Sequence, residues 1–131
     1  MKIIKIMRNM KKEVVSTSRT PAVPGAPYSP AIRTGHLLFV AGQIPDDVDA
    51  DMRTQTRQTL EKIKALVEEA GTTMDDVVKT TVFLTDLEDY DSMNEVYREF
   101  FRESPPARAC VQVADLVLGC KVEIEAIASV P

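Results

Sequence analysis

The last ten residues before the C-terminus, Lys121 to Val130, strictly alternate apolar side chains with other residues. Val122, Ile124, Ala126 and Ala128 occupy one side, and Glu123, Glu125, Ile127 and Ser129 the other. A period of two is the repeat of a β-strand with one face against a core. The chain must therefore build a sheet around this segment.

Four further strands are predicted from apolar and β-branched runs. They cover residues 13–16, 37–41, 77–84 and 109–114. The runs from Leu37 to Ala41 and from Val77 to Leu84 are apolar enough for strands buried on both faces.

Two segments have helical periodicity. Apolar residues from Met52 to Ala70 recur every three or four positions, acidic residues precede them, and Gly71 ends the run. A second helix covers about Asp91 to Arg102, with Asp91 or Ser92 as the expected cap. The order β-β-β-α-β-α-β-β predicts an α+β domain, a mixed sheet with two helices packed on one face.

Composition limits the function. A chain of 131 residues with 44% hydrophobic residues, 27% charged residues and a net charge of −4 is expected to form one globular domain. The acidic charge makes nucleic acid an unlikely partner. His36 is the only histidine, so a zinc or non-haem iron site rich in imidazole is excluded and we expect no metal site. Cys110 and Cys120 are expected to be reduced thiols.

Residues 1–12 are basic with short apolar pieces, which fits neither a signal peptide nor a membrane span. We expect residues 1–12 to be a flexible extension, with translation starting at Met1 or at Met10. Residues 13–131 are then a single domain, and we expect the protein to be cytoplasmic, with no membrane association.

Arg108 follows a proline pair and opens a predicted strand, so its backbone is well defined. Its planar guanidinium can bind a carboxylate through two hydrogen bonds. The alternative is a structural salt bridge to Glu123 or Glu125 on a neighbouring strand. Those two glutamates share one face of their strand, where they either act together on a small substrate or are simply solvated.

Four weaker candidates accompany Arg108. Tyr28, inside the proline-rich segment 21–30, either lines a cleft or anchors that loop. Asn94 caps the second helix or lines a pocket, and Gly42 sits in a turn where the backbone can approach a ligand. Cys110 shares a strand face with Arg108, but because no general base is evident a packed thiol is the expected role.

Six motifs in series resemble the reactive intermediate deaminase (Rid, or YjgF) family. They are Ala26-Pro-Tyr-Ser-Pro-Ala-Ile32, Leu38-Phe-Val-Ala-Gly-Gln-Ile-Pro45, Asp76-Val-Val-Lys-Thr-Thr-Val-Phe-Leu84, Met93-Asn-Glu-Val-Tyr97, Pro106-Ala-Arg-Ala-Cys-Val111 and Val122-Glu-Ile-Glu-Ala-Ile-Ala128. The resemblance spans the chain from about Val14 onward, in order and at compatible spacing.

The resemblance implies a chorismate-mutase-like fold that assembles as a homotrimer, with an inner β-barrel and active sites between subunits. It implies cofactor-free hydrolysis of enamines and imines such as 2-aminoacrylate to 2-oxo acids and ammonia. Arg108 would hold the substrate carboxylate and Glu123 would position water and move protons. Tyr28, Gly42, Asn94 and Cys110 would line the pocket, Cys110 through its backbone.

Three departures from the family pattern accompany these matches: Ala41 in place of a common serine, a shorter loop after Pro45, and no proline after Leu116. They leave three other functions open. These are an endoribonuclease that inhibits translation, a non-catalytic ligand-binding regulatory trimer, and, more remotely, a chorismate mutase.

Overall fold

The computed structural model describes residues 11–131, so most of the predicted extension 1–12 lies outside the described residues. The elements are β1 (Glu13–Val15), β2 (Ala31–Thr34), β3 (Leu37–Gln43), α1 (Met52–Glu69), β4 (Val77–Leu84), α2 (Tyr90–Phe100), β5 (Ala107–Gln112) and β6 (Val122–Ser129). The predicted order β-β-β-α-β-α-β-β is confirmed, and β2 is the strand to which the sequence assigned no bounds.

The strands form one sheet in the order β1-β2-β3-β6-β4-β5. Strand β5 runs parallel to β4, and the other neighbouring pairs are antiparallel. The helix α2 makes the crossover between the two parallel strands, as a parallel connection requires. The sheet is therefore mixed, and the predicted α+β class is confirmed.

Both helices cover the same face of the sheet. The side chains of Leu60, Ile63 and Leu66 on α1 are completely buried against Ile124 and Val82 and their neighbours in the core. The Asp51 carboxylate accepts a hydrogen bond from the Thr54 amide at 2.8 Å and so caps the start of α1. The helix ends at Glu69. Gly71, two residues later, adopts a φ of 90°.

The opposite face of the sheet, here called the open face, is not covered by any other part of residues 11–131. The prediction that the runs beginning at Leu37 and Val77 are buried on both faces is therefore wrong for the single chain. Along β3, Leu37 and Phe39 are 42% and 41% exposed, whereas Leu38 and Val40 are buried. Val78 on β4 is 49% exposed. The packing of residues 11–131 therefore does not explain the apolar character of this face.

Three local predictions need correction. Strand β5 begins at Ala107, two residues earlier than expected, because its parallel pairing with β4 starts directly after the proline pair. Helix α2 begins at Tyr90, and the residue before it, Asp89, makes no side-chain cap. Gly42 belongs to β3 and not to a turn. The pairing register shifts between Val40 and Gln43, but the strand continues through Gly42.

The amide of Gln55 connects two loops through the core. Its side chain is fully buried, its nitrogen donates to the carbonyls of Val48 and Ala50, and its oxygen accepts from the Lys121 amide. These bonds satisfy three main-chain groups that would otherwise be buried without partners. None of the helices within residues 11–131 is long and apolar enough to span a bilayer.

Gln55→Leu should destabilise the protein by about 2–4 kcal/mol, because three main-chain groups lose their partners in a dry environment. Urea unfolding measures the change. Gln58→Leu is the matched control, since the exposed Gln58 side chain accepts one bond from the Asp47 amide. Equal losses in both variants would contradict this role for Gln55.

Candidate active site

Arg108 is the second residue of β5, an edge strand that begins directly after Pro105 and Pro106. It is level with Thr80 of β4 in the parallel pairing, and Thr80 is completely buried beneath α2. Paired residues of adjacent strands point to the same side of a sheet. The guanidinium therefore lies on the helix-covered face, at the open end of a cleft of about 450 Å³ between α2 and the chain that enters β5.

Within residues 11–131, only uncharged groups contact the Arg108 guanidinium through hydrogen bonds or aromatic rings. Its Nη1 donates to Asn94 Oδ1 at 2.7 Å, and its Nη2 donates to the Tyr90 hydroxyl at 2.9 Å. The guanidinium carbon lies 4.8 Å from the centre of the Tyr97 ring and 5.5 Å from that of Tyr90. This side chain is positioned without being paired to a carboxylate, so its charge is available to an anionic ligand.

The Tyr97 ring lies beneath the Arg108 guanidinium, on the side facing the core. Its hydroxyl shares a 2.7 Å hydrogen bond with the Thr80 hydroxyl in the core. Burial raises the pKa of Tyr97, while the Thr80 hydrogen bond and the charge of Arg108 act in the opposite direction. The phenol is therefore neutral at physiological pH and serves as a fixed aromatic surface.

Cys110 lies on the same face of β5 as Arg108, as the alternation predicted. It is level with Val82, partly buried, and packed against the core. Burial raises the pKa of the thiol, and Arg108 only partly opposes the shift. The group is a protonated thiol near neutral pH, which fits a packing role better than a nucleophilic one.

Glu123 lies on the open face, level with Phe83 of β4. Its carboxyl covers Gly42: a Cβ on Gly42 would come 2.5 Å from Glu123 Oε2. The glycine in the irregular part of β3 thus makes room for the carboxyl. Burial raises the pKa of Glu123, and the charge of Glu125 raises it further.

Tyr28 lies beside the same end of the sheet. It is 66% exposed and lines a cleft of about 200 Å³ together with Gly42, Arg19 and Lys62. The two cations of this cleft are paired with carboxylates, Arg19 with Asp46 and Glu61, and Lys62 with Asp46.

The predicted site residues therefore form two groups within the chain. Arg108, Asn94 and Cys110 lie on the helix-covered face, whereas Glu123 lies on the open face above Gly42. Strand β4 separates β5 from β6, so the alternative of a structural salt bridge from Arg108 to Glu123 or Glu125 is not formed within residues 11–131. Two strand spacings are about 10 Å, and opposite faces add to that separation.

Comparison with known proteins identifies the family. Residues 17–130 match the profile of the family described as endoribonuclease L-PSP. A RutC family protein of Pyrococcus abyssi is 50% identical over 125 residues, covering 91% of this chain and 98% of that protein. The 2-iminobutanoate/2-iminopropanoate deaminase of Escherichia coli is 44% identical over 124 residues, covering 88% and 96%.

The chain belongs to the YjgF/Rid family. The fold agrees: the crystal structure of E. coli TdcF with bound serine has a TM-score of 0.83 at 41% identity, covering 91% of this chain and 99% of that one. The E. coli YjgF gene product also has a TM-score of 0.83 at 41% identity, covering 89% and 98%. The resemblance inferred from the six motifs is confirmed.

Sequence reasoning about this Rid-family chain missed Tyr90 and Tyr97 as partners of Arg108. Tyr90 precedes Asn94 by four residues, one helical turn, and so shares its face. The predicted helix start at Asp91 left Tyr90 outside the helix and concealed that spacing. Tyr97 is buried on α2, and its contact with Arg108 depends on a strand pairing that no local pattern encodes.

Gly42→Ala should cost about 1 kcal/mol of stability, because the new methyl group displaces the Glu123 carboxyl. The backbone at Gly42 has no positive φ, so alanine adds no strain of its own. Urea unfolding of the single and double variants tests this. The cost should nearly vanish in a Glu123→Ala background, and an equal cost in both backgrounds would contradict the assigned contact.

Proposed function

We propose that this protein hydrolyses imines and enamines of 2-amino acids, such as 2-aminoacrylate, to 2-oxo acids and ammonia without a cofactor. The proposal rests mainly on the Arg108 guanidinium. Asn94 and Tyr90 orient this group, yet it has no carboxylate partner among the described residues. A relative named for hydrolysis of 2-imino acids and another crystallised with bound serine both support a small carboxylate ligand.

The chemistry requires little of the protein. An enamine tautomerises to an imine, whose carbon is electrophilic, and water adds to that carbon. Arg108 binds the substrate carboxylate and orients the imine, which lowers the entropic cost of the addition. Glu123 accepts a proton from the attacking water as the C–O bond forms and returns it to the nitrogen. The carbinolamine hydroxyl then gives its proton to Glu123 as the C–N bond breaks, which releases ammonia and leaves the 2-oxo acid.

We propose further that the site is assembled between subunits of a homotrimer. Arg108 and Glu123 lie on opposite faces of one sheet, so one chain does not bring them to one substrate. The open face carries exposed apolar side chains, including Phe39 and Val111, which are 41% and 43% exposed. Packing three open faces together as an inner β-barrel would bury these side chains and bring Glu123 of one chain towards Arg108 of the next.

In such a site the remaining predicted residues have distinct tasks. Asn94 orients Arg108, and Tyr28 and Gly42 line the wall beside Glu123. Cys110 contributes main-chain groups and a packed thiol. The family's description as an endoribonuclease favours RNA as the other substrate class, but the net charge of −4 gives little general attraction for phosphates.

Arg108→Gln should lower kcat/KM for 2-iminobutyrate by about 100-fold, because charge-assisted bonds to the substrate carboxylate are lost. The assay follows 2-oxobutyrate formation from an imine generated in situ by a dehydratase. Arg53→Gln is the control, since Arg53 pairs with Glu95 on the outer side of the helices. Wild-type rates in Arg108→Gln, or RNA cleavage without imine hydrolysis, would contradict the proposal.

The pH profile tests Glu123 as the base. Its carboxylate is required, so kcat/KM should fall as the pH drops through the raised pKa of Glu123, above the ordinary glutamate value of 4.5. Glu125→Gln removes a like charge, lowers the pKa of Glu123, and should move this acidic limb to lower pH.

Glu95→Gln is the matched control for the pH profile. This substitution also removes one negative charge, but it does so on the helix side of the molecule, where Glu95 pairs with Arg53. It should leave the acidic limb where it is in the wild type. An unmoved limb in Glu125→Gln, or one shifted to higher pH, would show that Glu123 does not act as the base.

A further inference from the structure

The cleft at Arg108 carries more positive charge than a single carboxylate requires. Arg98 and Arg102 line it together with Arg108, and none of its lining residues is an aspartate or glutamate. The remaining lining residues are aromatic, amide or proline side chains. Three guanidinium groups thus border one cavity of about 450 Å³.

These charges are not neutralised by the acidic residues of the same helix. Glu95 and Glu99 of α2 point to α1 instead, where they pair with Arg53 at 2.6 Å and Arg57 at 2.5 Å. Within residues 11–131, Arg98 makes no ion pair or side-chain hydrogen bond. Arg102 Nε donates to the main-chain oxygen of Glu99 at 3.3 Å. The hydrogen bond from Arg57 lowers the pKa of the Glu99 carboxyl, and the Arg102 charge helps to lower it without forming an ion pair with that carboxyl.

The other large cleft shows the usual arrangement by contrast. It measures about 430 Å³, lies between the two helices, and has both cationic and acidic lining residues. There Arg57 is paired with Glu99, and Glu68 lies 3.9 Å from Lys64. The excess of positive charge is therefore a property of the Arg108 cleft and not of the surface in general.

The arginines are spaced for a ligand with two anionic ends. Asn94 and Arg98 are four residues apart on α2 and so share one side of the helix, while Arg102 follows the end of the helix at Phe100 and lines the same cleft. Asn94 contacts Arg108, which marks where the first carboxylate binds. Arg98 lies about one helical turn further along α2 and borders the same cleft, so it can contact a second anionic group on a ligand held by Arg108.

We propose that this site selects 2-imino acids that carry a second anionic group at the far end of a short carbon chain. Arg98 and Arg102 bind that group, a carboxylate or a phosphate, while Arg108 binds the 2-carboxylate. The assignment rests on the proposed function and specifies its substrate class. Because both arginines are exposed, water screens part of the attraction, and the expected gain is about 5–30-fold in KM.

The test compares two imines in the coupled assay: 2-iminobutyrate, with one carboxylate, and 2-iminoglutarate, with two. Wild-type protein should have a lower KM for 2-iminoglutarate. In the double variant Arg98→Gln/Arg102→Gln, the ratio of KM for 2-iminoglutarate to KM for 2-iminobutyrate should rise about 5–30-fold. Lys64→Gln, which removes one charge outside the cleft, should leave the ratio unchanged.

Calorimetric titration of the stable 2-oxo acids separates this inference from the proposed function. If no imine is hydrolysed, the proposed function fails, but preferential binding of 2-oxoglutarate over 2-oxobutyrate that is lost in the double variant still supports the two-anion site. Titration with 2-oxo-4-phosphonobutyrate identifies the second group: tighter binding than 2-oxoglutarate indicates phosphate, and weaker binding indicates carboxylate. An unchanged ratio in the double variant, by turnover and by titration, would overturn the inference.

Discussion

The strand β4 is the constraint on which the rest of the site depends, because it lies between the strands that carry the two principal functional groups. Side chains of β5 and β6 on the helix-covered face of the sheet are covered by the helices, and those on the opposite side belong to the open face. Arg108 falls on the covered side and Glu123 on the open side. In the proposed function, a substrate that needs both groups is bound between two copies of the chain, which would pack through the apolar side chains of the open face.

Arg108 is oriented by groups that carry no charge. The amide of Asn94, the hydroxyl of Tyr90 and the ring of Tyr97 fix the guanidinium, while the acidic side chains of α2 are engaged by arginines of α1. A carboxylate in their place would have oriented Arg108 equally well but neutralised it. The division of α2 into an acidic side facing α1 and a basic side facing the cleft thus maintains the electrostatic field that a small anion would meet.

Much of this fold could be predicted from the sequence because periodicity is local. The alternation in β6, the helical stripe of α1 and the order of elements all follow from residues a few positions apart. The placement of β4 between β5 and β6 could not, since strand order depends on contacts between distant segments. The same holds for the contact between Gly42 and Glu123, and for Tyr97 beneath Arg108. The family motifs named the candidate residues, but they did not show that one chain separates them onto two faces.

Subunit mixing tests the central claim, that Arg108 of one chain acts with Glu123 of another. Arg108→Gln and Glu123→Gln proteins, each assayed alone, are expected to be nearly inactive. After the two are unfolded together in equal amounts and refolded, random assembly gives about one quarter of sites with both native groups. Recovery of roughly that fraction of wild-type activity is the predicted result. A mixture as inactive as its components, with trimers confirmed by mass, would contradict the account.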